Sequence, residues 1–289
     1  MKMKRLFAFT ILLYILASCD RNRSETARTL SVSIEPLRYL TEQITGDDFE
    51  INVLVPPGSG PETYEPTPTQ MRQLARSEAY IAVGLIDFEH RLQTAVASNM
   101  PDVAVVSVSE NVPLSEGECH HETDAGEGHH HGYDPHIWTS PSRLKTMART
   151  ILDRLSADNP DSVRYRENYD RFVLRMDSLD SAIRSILSEA KTTAFLIFHP
   201  ALGYFADDYG LRQIALENEG KEPSAEHLRR IVDSARRNGI DKVLYQRQFS
   251  RNTVDALAEE LGIEAVAVDP LGYDIPDNLL QIARLIAQP

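Results

Sequence analysis

The residues most able to do chemistry in this sequence are its histidines. Six of the nine lie in one stretch between Cys119 and Trp138, interleaved with carboxylates. Neutral imidazoles and carboxylates together bind borderline divalent metals. The stretch therefore predicts a transition-metal ligand, with zinc as the first choice. It leaves open whether these histidines form one ordered site, a loose metal-collecting loop, or both.

Most of the histidine-rich stretch is predicted to be a loop, residues 115–133, without fixed geometry. Glycine and acidic residues alternate with its histidines, and such a composition does not build a packed core. We predict weak metal collection near a cleft, dependent on pH because imidazole must be neutral to bind. A solvated loop with no function is the alternative. The accessory ligands of this prediction are His120, His121, His129, His130 and His131.

Other candidate ligands lie in loops that follow predicted strands, where open parallel sheets bind ligands. Glu62 and Glu65 occupy a proline-rich loop, His199 and Asp269 each end a strand, and His136 precedes a helix. In these loops a proline adjoins a candidate ligand and restricts the local chain direction. Each residue alone has an ordinary structural explanation. Together, in an acidic chain with an export signal, they predict a metal site.

The first eighteen residues predict that export. A basic start precedes an apolar run from Leu6 to Leu16, which is shorter than the roughly 20 residues of a membrane-spanning helix and typical of a secretory signal. The segment ending at Cys19 resembles a bacterial lipobox. That resemblance implies cleavage after residue 18, a lipid on Cys19 and a tether over residues 19–29. An uncleaved anchor with an incidental cysteine is the alternative.

Charge and cysteine content narrow the choice of partners. The formal net charge of the chain is −13, which disfavours nucleic acid and anionic lipid and suits a cationic ligand; solubility alone would explain it equally well. The chain has two cysteines. If Cys19 carries a lipid, no disulfide framework is possible and a hydrophobic core must stabilise the fold.

The elements that position the candidate ligands follow an α/β pattern, because short β-branched runs alternate with amphipathic stretches. The predicted strands are Leu30–Ile34, Ile51–Val55, Tyr80–Val83, Val103–Val108, Ala194–Phe198, Val243–Tyr245 and Glu264–Val268. The predicted helices are Pro36–Thr45, Pro68–Ser77, Phe88–Ser98, Ser224–Asn238, Arg251–Leu261 and Asp277–Ala287. Two similar α/β halves with parallel sheets are expected.

Between the halves, one long helix is predicted. From Asp161 to about Ala190 there is no glycine or proline, and apolar residues recur mostly three or four positions apart. A helix of about 30 residues is roughly 45 Å long, enough to serve as a rigid strut between both halves. A coiled coil is the alternative, although the run lacks strict heptads.

Seven segments, in order along nearly the whole mature chain, match the pattern of a known family. They are Val55–Gly58, Tyr64–Pro68, Asp134–Trp138, Phe198–Ala201, Tyr204-Phe205, Gly220–Ser224 and Val268–Gly272. In these segments the sequence resembles the metal-binding lipoproteins of bacterial ABC importers of the zinc/manganese (cluster A-I) class, and especially the zinc-binding members.

The resemblance implies two Rossmann-like α/β lobes joined by one long rigid helix, with the metal site in the cleft between the lobes. The implied organisation is a signal peptide 1–18, a tether 19–29, an N-terminal lobe 30–140, a helical connection 141–190 and a C-terminal lobe 191–289. A lipid-anchored, extracytoplasmic monomer is expected. Its implied partners are an ABC permease and its ATPase.

The ligand set implied by the resemblance is Glu62, His136, His199 and Asp269. The zinc-binding members carry histidine where this sequence has Glu62, so the set is harder and better suited to Mn²⁺ or Fe²⁺ than three histidines would be. His199 and the histidine-rich loop nevertheless match the zinc pattern. Zn²⁺ is therefore expected first, with Mn²⁺ or Fe²⁺ as the alternative.

Three classes of function remain at this stage. The first is a binding protein that captures a divalent metal and delivers it to a permease. The second is a zinc hydrolase, which would keep an open position for water beside a general base; no H-E-x-x-H signature supports it. The third is an adhesin or metal-buffering surface lipoprotein. We predict the first, and no enzymatic activity.

Overall fold

The computed structural model describes residues 28–115, 132–157, 161–217 and 225–288. The predicted signal peptide, Cys19 and the five accessory histidines of the loop lie outside these residues. Within them the chain forms two α/β lobes, each with a four-stranded parallel sheet. The predicted fold class is confirmed.

The strands of the N-terminal lobe are β1 (Thr29–Val32), β2 (Glu50–Val53), β3 (Ala79–Ala82) and β4 (Ala104–Ser107). They lie in the order β2-β1-β3-β4. The two central strands, β1 and β3, are mostly buried, as in parallel sheets covered on both faces. The helices are α1 (Glu35–Thr45), α2 (Pro68–Leu74), α3 (Asp87–Asn99) and α4 (Pro141–Ser156).

The strands of the C-terminal lobe are β5 (Ala194–Ile197), β6 (Arg212–Ala215), β7 (Lys242–Gln246) and β8 (Glu264–Val268). Their order, β6-β5-β7-β8, repeats the topology of the first lobe. The helices of the C-terminal lobe are α6 (Gly203–Tyr209), α7 (Ala225–Asn238), α8 (Arg251–Leu261) and α9 (Ile275–Ala287). Because all strands of a sheet are parallel, the loops after them meet at one edge, which in both lobes borders the cleft.

Two elements of the C-terminal lobe were not predicted, β6 and α6. Strand β6 is an edge strand with the sequence RQIA, too short and polar to show an apolar run. Helix α6 has seven residues and ends at Gly210, which adopts a left-handed conformation with φ of 64°. Both elements depend on tertiary packing more than on local periodicity.

The predicted long helix is α5, which spans Ser162–Leu187. Its 26 residues give a length of about 39 Å. It packs against α1 and α4 of the first half and against α9 of the second. Its buried face consists of Tyr165, Phe172, Met176, Leu179 and Ile183.

Through α5 one hydrophobic core extends across both lobes. It joins residues such as Leu30 and Ile81 of the first sheet to Ile197 and Tyr204 of the second lobe. A smaller core covers the other face of the second sheet, around Leu196 and Val243. Among the helices of the described residues, none combines the length and apolarity needed to cross a membrane.

Candidate metal centre

Three predicted ligands meet at the cleft between the lobes. Ligand atoms of Glu62, His136 and His199 all lie within 4.8 Å of one another. Glu62 Oε1 is 3.9 Å from His136 Nε2 and 3.3 Å from His199 Nε2. The two histidine rings are 5.2 Å apart, centre to centre. Two imidazole nitrogens and a carboxylate oxygen therefore converge on one point, which suits a divalent transition metal.

His136 is oriented by a neighbouring carboxylate. Asp134 Oδ1 accepts hydrogen bonds from the backbone N–H of His136, at 2.9 Å, and from its Nδ1, at 2.7 Å. The ring also makes an edge contact with Trp138. A hydrogen bond at Nδ1 fixes the tautomer and leaves Nε2 as the metal-facing nitrogen, as in carboxylate–histidine–zinc triads.

His199, which follows β5, is held in the same way by its own lobe. Its Nδ1 lies 2.7 Å from Glu217 Oε2, and Gln246 donates to its backbone carbonyl at 2.7 Å. Its ring stacks on Phe249. The Nε2 atom is buried and makes no hydrogen bond of normal geometry within the described part of the chain. A nitrogen in this condition is suited to accept a metal.

The charges of the cluster are strongly coupled. Burial alone would lower the pKa of His199, but its hydrogen bond to Glu217 and the adjoining carboxylate of Glu62 together raise that pKa to about 9. Burial works in the opposite direction on Glu62 and would raise its pKa, but the neighbouring His199 holds it below the usual value. The pKa values of the two side chains therefore move in opposite directions, because each charged form stabilises the other.

Asp269, the fourth predicted ligand, is not part of this group in the structure. It follows β8 as expected, but it lines a separate cavity of about 280 Å³ together with Glu35 and Tyr273. Its assignment as a ligand stays a prediction. Glu65, the other carboxylate of the proline-rich loop, is exposed and outside the group.

Two carboxylates of the site were not among the predicted residues, Asp134 and Glu217. Asp134 stands two residues before His136 with a proline between them, a spacing that lets an aspartate side chain bond to the backbone two residues on. That signal was available in the sequence. Glu217 follows β6, and because β6 itself was not predicted, no pattern indicated that Glu217 would lie beside His199.

Contacts between the lobes surround the cluster. Trp138 Nε1 donates to the carbonyl of Pro270 at 2.9 Å, and Tyr204 donates its hydroxyl to the carbonyl of Asp134 at 2.8 Å. A cavity of about 630 Å³ opens beside the three ligands and is lined by both lobes. The residues that border the histidine-rich segment, Ser115 and Gly132, line this cavity.

Comparison with known proteins identifies the family. The model of the ZnuA family, described as zinc-uptake complex component A, periplasmic, matches residues 31–284. The chain belongs to the ZnuA family. A crystal structure of ZnuA is similar with a TM-score of 0.82 and 34% identity, and the match covers 90% of this chain and 98% of that one. A zinc-bound ZnuA with residues 138–173 deleted gives a TM-score of 0.81 and 35% identity.

Curated relatives of this ZnuA-family chain are more distant. The zinc-binding lipoprotein AdcA of Streptococcus pneumoniae (strain ATCC BAA-255 / R6) is 27% identical over an alignment of 282 residues, and the match covers 93% of this chain and 55% of AdcA. The chain thus spans about half the length of AdcA. A putative metal-binding protein of Chlamydia trachomatis serovar D is 27% identical over 265 residues, 91% of each chain. The family resemblance inferred from the sequence is confirmed.

Proposed function

We propose that this protein captures Zn²⁺ between its lobes and delivers it to the permease of an ABC importer. The observation that carries the proposal is the convergence of Glu62 with the Nε2 atoms of His136 and His199. Both imidazoles have their Nδ1 atoms hydrogen-bonded to carboxylates, which increases ligand basicity and fixes ring orientation. Zinc-binding proteins of the same family support this choice of metal.

Three protein ligands leave one position of a tetrahedral zinc site open. We propose that water occupies it, or Asp269 after a movement of its loop. An open position is also a property of catalytic zinc, but a hydrolase needs a free general base beside it. The two carboxylates bonded to the histidine rings, Asp134 and Glu217, are both engaged with Nδ1 atoms and are not free to act as that base. The donor arrangement therefore favours capture and release over hydrolysis.

The location and partners are part of the proposal. We infer that residues 1–18 are removed, that a lipid on Cys19 anchors the protein outside the cytoplasm, and that it works as a monomer with a permease and its ATPase. The family is described as periplasmic, and a relative is named a lipoprotein. Collection of metal by the histidine-rich loop belongs to the same proposal.

The test is a zinc titration of the full chain in competition with a chromogenic chelator. His136→Ala, His199→Ala and Glu62→Ala should each weaken tight binding, whereas Glu65→Ala, in the same loop as Glu62 but outside the cluster, should leave it unchanged. Deleting residues 116–131 should remove only weak sites. Tight binding that survives His199→Ala, or that disappears with the loop, would refute the site assignment.

Manganese or iron(II) is the second candidate, favoured by one observation. Glu62 supplies an oxygen at the position where the resemblance implies histidine, and oxygen donors suit harder ions. The same titration with Mn²⁺ and Fe²⁺ distinguishes the two cargoes. Ligands of this kind generally bind zinc more tightly than manganese. A preference for zinc smaller than this general one would favour the second candidate.

A further inference from the structure

The two histidines of the cluster are supported differently. His199 is held by Glu217 and Gln246, both of the C-terminal lobe that carries His199 itself. His136 is held by Asp134, which belongs to the segment following β4, but Asp134 is in contact with the opposite lobe. Of the two histidines, therefore, only His136 is held by a residue that contacts the opposite lobe.

Asp134 is restrained by the opposite lobe at two points. Its backbone carbonyl accepts a hydrogen bond from the hydroxyl of Tyr204 at 2.8 Å, and that tyrosine is fully buried. Its Oδ2 lies so close to Gly203 that a Cβ at that glycine would be 2.6 Å away. Both Gly203 and Tyr204 open α6. Any side chain at position 203 would displace the carboxylate.

The other oxygen of the same carboxylate fixes the metal ligand. Asp134 Oδ1 accepts from both the backbone N–H and the Nδ1 of His136. Because a carboxylate is rigid and planar, pressure on Oδ2 moves Oδ1 and, with it, the imidazole ring. The Asp134 side chain is 13% exposed, so it has little room to relax into solvent.

We propose that Asp134 is a positioning residue through which the C-terminal lobe sets the orientation of His136. The metal affinity of the cluster then depends on how α6 packs against Asp134, whereas the groups that hold His199, Glu217 and Gln246, belong to its own lobe. A displacement of α6 would weaken one of the three ligands without touching the metal. The inference rests on the proposed function, since it takes Glu62, His136 and His199 to be the metal site.

The test measures Zn²⁺ affinity of the full chain by chelator competition, with the visible absorption of bound Co²⁺ as a report on ligand geometry. Gly203→Ala should weaken zinc binding about tenfold, in the range of perturbed outer-shell partners, and should change the Co²⁺ spectrum. Ser185→Ala is the control, because Ser185 is an exposed residue of α5 and lies outside both the cavity and the cluster. It should change neither.

A double-mutant cycle decides whether the effect passes through Asp134. Asp134→Ala should cost about 10–100-fold in affinity, and Asp134→Asn should recover part of it, because an amide oxygen still accepts from His136. In the Asp134→Ala background, Gly203→Ala should cause no further loss. An equal loss in both backgrounds would overturn the proposal, since the glycine would then act only through the packing of α6.

Two further variants keep the outcomes separate. If Gly203→Ala does not fold, as judged by thermal unfolding of the metal-free protein, Tyr204→Phe replaces it in the cycle and removes a single hydroxyl. Glu217→Ala should weaken binding yet add fully to Gly203→Ala. His199→Ala tests the proposed function itself, because an unchanged zinc affinity in this variant would show that the metal site is wrong. If His199→Ala does weaken zinc binding but the effects of Gly203→Ala and Asp134→Ala are independent, only the present inference is overturned.

Discussion

The indole Nε1 of Trp138 donates a hydrogen bond to the backbone carbonyl of Pro270 across the interface between the lobes, at 2.9 Å. Trp138 is the only tryptophan of the chain and is almost completely buried. It also touches the ring of His136. One side chain thus contacts a predicted metal ligand and bonds to the opposite lobe.

Trp138→Phe should destabilise the protein, because it leaves the buried carbonyl of Pro270 without this donor. The expected loss is about 1–3 kcal/mol in the free energy of unfolding, measured by urea denaturation of the metal-free chain. Tyr133→Phe is the control, since Tyr133 is 53% exposed and should change stability by less than about 0.5 kcal/mol. Equal effects of the two substitutions would contradict the prediction.

Glu62→His should make the site more selective for zinc over manganese. Replacing the carboxylate oxygen by a third imidazole nitrogen softens the donor set. We expect the ratio of Zn²⁺ to Mn²⁺ affinity to rise about tenfold, which corresponds to ~1.4 kcal/mol. Glu65→His, in the same loop and outside the cluster, should leave the ratio unchanged. A ratio that stayed unchanged in Glu62→His would count against Glu62 as a ligand.

Asp269→Ala should weaken zinc binding less than Glu62→Ala does. In the structure the Asp269 carboxylate lies outside the group formed by Glu62, His136 and His199, so it contributes only if its loop moves. Parallel calorimetric titrations of the two variants give the comparison. If Asp269→Ala caused the larger loss, the metal-bound site would have to include Asp269 as a direct ligand.

Glu89→Gln should destabilise the N-terminal lobe. The fully buried Glu89 carboxylate accepts backbone hydrogen bonds from Val83, Gly84 and Ile86. Burial raises the pKa of Glu89, although these bonds oppose the shift. A glutamine would direct an N–H₂ group at backbone donors, at an expected cost of about 1–3 kcal/mol near neutral pH.

Thermal unfolding of the Glu89→Gln chain measures that cost. Glu259→Gln, an exposed position on α8, is the matched control and should unfold like the wild type. A glutamine at position 89 that left the melting temperature unchanged would show that the carboxylate makes no net contribution.

Asp48→Asn should remove a pH-dependent contribution to the free energy of unfolding that arises at the start of the long helix. Asp48 accepts from the Tyr165 hydroxyl at 2.8 Å and from the Arg164 guanidinium. Partial burial would raise its pKa, but these two donors lower it overall. A carboxylate whose pKa is lower in the folded than in the unfolded state stabilises the fold at pH values above its unfolded pKa of about 4. That stabilisation is lost as the pH falls through the pKa of the folded state.

Wild type should therefore exceed Asp48→Asn in stability near pH 7 by up to about 1 kcal/mol, a limit set by solvent screening of the partly exposed site. The difference should shrink as the pH falls below about 4. Denaturation curves at several pH values measure it, with the exposed neighbour Asp47→Asn as control. A difference that grew on acidification would have the wrong sign for this arrangement.

The sequence predicts most strands and the long helix well, because buried strands such as β5 are short apolar runs and the buried residues of α5 recur at helical spacing. It also predicts Glu62, His136 and His199, which the structure brings together. Edge strand β6 and short helix α6 depend on the packing of the lobe and are invisible to periodicity. Because β6 and α6 were not predicted, the sequence did not indicate that Glu217 and Gly203 would lie near the site, where tertiary packing places them.

The predicted position of Asp269 illustrates a second limit. Its place after β8 follows from the strand pattern, but the direction of its side chain depends on the turn to α9, where the backbone N–H of Gly272 bonds to the Asp269 carbonyl. A pattern locates a residue at the edge of a sheet. It does not decide into which of two neighbouring cavities the carboxylate points.

The hydrophobic core that runs through α5 into both lobes limits how far the lobes can move apart. A wide hinge opening would separate apolar side chains such as Tyr204 and Met176 from their neighbours, at a cost of about 25 cal/mol for each Å² exposed to water. Short loops at the rim can move without that cost. Under the proposed function, release of the metal would therefore involve rearrangement of a few residues at the rim, while the two lobes keep their relative arrangement.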